Sequence, residues 1–134
     1  MSSAPKPRTL QHPRPRHYEF NLAHHWPPAV LSIFHRVSGL LLFFPVLPLV
    51  LYLLQSGLGS EAGYARWQGF FAHPIVKAAL FLVAWGYAHH FFAGIRYLTL
   101  DVHWGTSKAA ARASALLVFA LGVIVAALVA WRLW

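Results

Sequence analysis

Between Arg112 and Arg132 the chain passes through nineteen residues, Ala113 to Trp131, without a charge. Two stretches of the same kind precede it: Val37 to Leu54, eighteen residues, and Pro74 to Ile95, 22 residues interrupted only by Lys77. Each is long enough to cross a bilayer core as a helix. A spanning segment must satisfy its own backbone hydrogen bonds, so this pattern predicts an all-α membrane protein of three transmembrane helices, about 29–55, 74–100 and 108–132. Composition narrows the function. The 134 residues are 58% hydrophobic with three acids and no cysteine, which excludes a disulfide scaffold, a thiolate-ligated cluster and a thiol nucleophile. The net charge of +8 suits a membrane surface or acidic partner groups. No nucleic acid is expected, because no basic stripe with exposed aromatics lies outside the apolar runs.

Residues 1–28 form a basic, Pro-rich tail and an interfacial segment, and residues 29–134 the membrane domain. Met1 to His17 holds no apolar run resembling a signal-peptide core, whereas Trp26-Pro27-Pro28 suits a helix start at headgroup depth, with His24 and His25 as boundary histidines. Pro45 and Pro48 predict a kink in the first span. Gln55 to Ala72 reads as a polar loop with a short interfacial helix near Tyr64 to Phe71, and Lys77 as a residue snorkelling outward. Gly122, Ala126 and Ala130, four residues apart, form a packing stripe on the third span.

Two polar clusters break the apolar pattern. On the second span Gly86, His90, Gly94, Tyr97 and Asp101 share a narrow helical stripe, and glycines one turn either side of His90 imply a flat recess for a planar group such as a porphyrin. His90 is thus the candidate iron ligand; His89 faces about 100° away with Trp85 and Ala93. At the start of the first span Ser32, His35, Arg36 and Gly39 share a face, suited to a carbonyl-bearing headgroup or a carboxylate, or to a helix cap with a snorkelling arginine. Lys6, Arg8, Arg14 and Arg16 before the first span, and Lys108 and Arg112 after the second, predict a cytoplasmic N-terminus. Both clusters then lie at the cytoplasmic edge. His35 sits nearer that edge than His90, so the second axial ligand of a six-coordinate haem is expected from another chain.

Ser32-Ile33-Phe34-His35-Arg36-Val37-Ser38-Gly39 resembles the Ser-Ile-x-His-Arg-x-Ser/Thr-Gly signature of the cytochrome b membrane-anchor subunits of succinate dehydrogenase, respiratory complex II. His90 to Asp101 resembles a second signature of that family, His-x-x-x-Gly-Ile-Arg-His-Leu followed by Asp, with Tyr97 where the family commonly has histidine. The resemblance covers essentially the whole chain. It implies a haem b ligand at His90, ubiquinone contacts at Ser32 and Arg36, and haem-propionate contacts among His35, Arg36, Arg96, Tyr97 and Asp101, with Asp101 orienting an arginine. It further implies a bundle completed by a second small anchor subunit that supplies the other haem ligand. An iron–sulfur subunit and a flavoprotein would complete the complex, in a bacterial inner membrane, and the chain would catalyse nothing alone. Two other classes are weighed: a haem-bearing anchor of another respiratory dehydrogenase would need more intramembrane histidines, and a transporter would need polar residues lining a path across the membrane.

Overall fold

The computed structural model describes residues 26–134. The tail with Lys6, Arg8, Arg14 and Arg16, and the boundary histidines His24 and His25, lie outside the described residues. The elements are α1 (Pro28–Leu41), a π-helical turn (Leu42–Val46), α2 (Leu47–Leu58), α3 (Glu61–Ala72), α4 (Pro74–Asp101) and α5 (Lys108–Leu133). The turn joins α1 and α2 into one span of 31 residues; α4 and α5 are the other two helices apolar and long enough to cross a membrane. This is an all-α membrane protein.

Each helix begins where local chemistry allows it. Pro28 opens α1 at a position whose N–H would be unpaired in any helix. Pro45 has no N–H to give, and the chain absorbs the missing bond by widening one turn. Pro48 stands in the first turn of α2. The kink expected from the two prolines is therefore a π-turn centred on Pro45. The interfacial helix is longer than Tyr64–Phe71 because Ser60 caps it, its Oγ accepting from Gly63 N at 3.0 Å with Glu61 in the first turn. Trp67 Nε1 donates to Ser56 Oγ at 2.8 Å, tying α3 back onto α2. His73 and Ser107 cap α4 and α5 by accepting from Ile75 N and Ala110 N. Between these helices His103 and Gly105 turn the chain with φ of 61° and 74°.

Packing is uneven. The most extensive contact is between α4 and α5, and α1 leans mainly on α4. Gly122 lets α5 approach closely: a Cβ there would stand 3.6 Å from the backbone of His89. Gly122 and Ala126 of the small-residue stripe are buried, as are Ala115 and Val118. The small core of Leu31, Ala93, Ala115 and Val118, flanked by Phe92, Tyr97 and Phe119, joins all three spans near one membrane edge. Trp26 stacks on Phe119 there, with centroids 5.7 Å apart. By contrast the first span is almost bare, exposing Leu40, Phe43, Phe44 and Leu51.

Candidate functional site

His90 lies where α1 crosses α4. Its Nδ1 is 3.0 Å from the backbone oxygen of His35 and 3.2 Å from Ser38 Oγ. A carbonyl can only accept, so Nδ1 carries the proton and donates; Ser38 Oγ in turn donates to the same carbonyl at 3.0 Å. That assignment leaves the Nε2 lone pair free for a metal. Ser38 is buried, so the anchor is shielded from competing water. Gly39 completes it, since a Cβ there would sit 2.8 Å from His90 Cε1.

The recess differs from the one expected along α4. The glycine pressed against His90 is Gly39 of α1, while Gly86 has open space above it and Gly94 lies under His35 Nε2. The His35 and His90 rings stack face to face, centroids 4.2 Å apart and 9° from parallel. Counting residues from the membrane edge set His35 shallower; the helix crossing brings the two level. Rings stacked in this way cannot ligate one iron from opposite sides. His90 lines an apolar cleft of about 350 Å³, walled by Leu42, Val46 and Val50 around the π-turn and by Tyr87 and Phe91 of α4. His89 is fully buried, enclosed by Trp85, Phe34 and Phe119 at centroid distances of 5.3, 6.0 and 5.2 Å. Neither of its ring nitrogens has a partner among the described residues, and the enclosure leaves no room for a macrocycle.

A second cleft, about 790 Å³, opens at the membrane edge. Ser32 of α1, Arg96 and Tyr97 of α4, and Lys108 and Arg112 of α5 line it. Arg96 is buried, with no carboxylate partner among the described residues; its Nε donates to Ser114 Oγ at 2.9 Å and a terminal nitrogen to the Ala111 carbonyl at 3.2 Å. Tyr97 Oη is buried without a partner among the described residues, and its ring lies 5.1 Å from that of His35. Arg36 is exposed and outside the lining of this cleft. Asp101 is exposed at the end of α4; the groups orienting Arg96 are Ser114 and Ala111. Ser32 and Arg36, grouped by spacing, thus part company.

The model of the succinate dehydrogenase/fumarate reductase transmembrane subunit family matches residues 10–129. The chain belongs to this family. It is 34% identical over 122 residues to a succinate dehydrogenase cytochrome b556 subunit of Coxiella burnetii, covering 90% of this chain and 97% of that one. A protein of the same description from Rickettsia felis is 35% identical over 80 residues, 59% of this chain and 60% of its own. As a succinate dehydrogenase transmembrane subunit the chain is a multi-pass membrane protein that works beside other subunits in an oxidoreductase complex. Five residues of its sites went unassigned from sequence: Ser38, Gly39 as a partner of His90, Ser114, Lys108 and Arg112. Ser38 stood inside the first signature and could have been singled out there. Lys108 and Arg112 were read for orientation alone and Ser114 carried no signal, because nothing in a linear pattern states which helix faces Arg96.

Proposed function

We propose that this subunit anchors a succinate:ubiquinone oxidoreductase, ligates haem b through His90 and forms part of the ubiquinone site. The observation that carries the reading is the imidazole of His90, its Nδ1 proton committed to the His35 carbonyl and Ser38 Oγ beside an apolar cleft. A donor of this form and a close-set glycine suit one axial position and one flank of a macrocycle. Among the described residues no cluster of three or more metal-binding side chains occurs, and a haem, whose macrocycle supplies most of the iron's donors, would not need one. Haem in such a position supplies a one-electron relay; the chain supplies the ligand, its orientation and a dry surround. His90 would hold the haem from this chain, and a second small anchor subunit would supply the other ligand, since the His35 ring stacks on that of His90. An iron–sulfur subunit, fed by a flavoprotein, delivers electrons at the cytoplasmic edge of a bacterial inner membrane.

Ser32 donates to a quinone carbonyl from the second cleft, and Arg36, one turn on and exposed outside that lining, would reach the headgroup by its long side chain. Arg96, Tyr97, Lys108 and Arg112 would answer the haem propionates from the same cleft, which suits a buried guanidinium that has no carboxylate partner among the described residues. The test uses the purified complex. His90→Ala should abolish the bis-histidine signal in a reduced-minus-oxidised spectrum, while the size-retaining His89→Phe keeps it; the reverse result overturns the ligand assignment. Ser32→Ala and Arg36→Leu should slow quinone reduction, by about 1 and 2 kcal/mol of transition-state stabilisation respectively, with succinate oxidation by a dye unchanged. Unaltered quinone kinetics in both would return Ser32 and Arg36 to a cap and a lipid contact.

A further inference from the structure

At the end of the bundle opposite Arg96 a third cleft, about 840 Å³, lies between α2, α3, the start of α4 and the end of α5. Its polar groups are two cations, Lys77 and Arg132, and the neutral Tyr64 and Gln68, one turn apart on α3; Val50 and Leu54 belong to its apolar wall. Neither described acid compensates the cations. Glu61 is outside the lining and Asp101 ends α4 at the other edge. Among the described residues the basic side chains near this edge are Arg66, Lys77 and Arg132, and Lys77 and Arg132 converge on one apolar hollow. The Trp134 ring, outside the lining, lies 5.5 Å from Lys77 Nζ, a cation–π contact at the cleft's edge.

We infer that this cleft binds one phospholipid with an anionic headgroup, its phosphate between Lys77 and Arg132 and an acyl chain along α2. A neutral quinone would leave two cations unanswered, and a helix seated here would need acids opposite them. A bilayer supplies an anionic head joined to an apolar tail. Each Lys or Arg beside an anionic lipid raises affinity roughly fivefold, and the pair roughly 25-fold.

The complex, purified in detergent and stripped of loosely held lipid, is titrated with phosphatidylglycerol or phosphatidylcholine and read by native mass spectrometry. Wild type should retain one phosphatidylglycerol per copy of this chain in preference to phosphatidylcholine. Lys77→Gln with Arg132→Gln should lose that preference, whereas Arg66→Gln, on the same edge but outside the cleft, and the charge-keeping pair Lys77→Arg with Arg132→Lys should retain it. The haem spectrum of each variant reports assembly independently. Equal binding of the two lipids by wild type, equal loss in Arg66→Gln, or full retention in the double glutamine variant would overturn the site. A photo-crosslinker at Leu54 that captures another subunit instead of lipid would do the same. If the double glutamine variant does not assemble, the wild-type titration and Arg66→Gln decide the matter.

Discussion

Ser38 contributes through a single hydroxyl that bridges the His35 carbonyl and His90 Nδ1. Ser38→Ala leaves the carbonyl as sole acceptor, so we expect haem retained but bound more weakly, by the 10- to 100-fold typical of a lost group behind a metal ligand; spectra recorded through serial dilution measure it. Gly39→Ala should be harsher. The added methyl would press on a ring already held from two directions, and overpacking of this kind costs about 1–3 kcal/mol. Low haem occupancy in an otherwise assembled complex is the expected outcome. The two residues also mark the limit of what the chain's letters reveal. His90 stood out as the candidate ligand because an intramembrane imidazole is expensive and therefore conspicuous. Its acceptors sit on another helix, and helical periodicity describes one helix at a time. Ser32 and Arg36 were paired for the same reason: spacing along α1 fixes their mutual angle, but not which of them a neighbouring helix covers.

Among the elements, the widened turn at Leu42–Val46 does more than accommodate a proline. It supplies Leu42 and Val46 to the wall of the cleft beside His90, so Pro45→Ala, by allowing regular α-helix, should reshape that wall and reduce haem retention without altering membrane insertion. The α4–α5 pair is governed by small residues instead. Gly122→Ala should be tolerated, since its methyl would meet His89 at an ordinary 3.6 Å; Gly122→Leu should separate the helices and lower the yield of assembled complex, read by gel filtration. Helix positions and the Gly122–Ala126 stripe followed directly from apolar run lengths and small-residue spacing. The π-turn could be located but not typed, because proline dictates a lost bond and leaves the compensation to packing.

At the scale of the molecule, the tight α4–α5 pair contrasts with a near-bare first span, whose apolar face is open to lipid and to the other subunits of the complex. Its orientation remains a proposal resting on basic residues, most of them in the tail. Cysteine labelling in intact cells should find Gln55–Ala72 accessible from outside and Val102–Ser107 protected; the opposite pattern would separate the proposed quinone cleft from a cytoplasmic electron donor. The hydrogen bonds from His90 to α1 have one more consequence. They make docking of α1 and readiness of the imidazole a single event, so with His90 as the proposed haem ligand the free energy of cofactor capture would be linked to helix pairing and each would stabilise the other. Haem loading would thus act as an inspection step in biogenesis: a copy whose first span has not closed on α4 offers a misdirected ligand, stays empty, and remains open to membrane proteases.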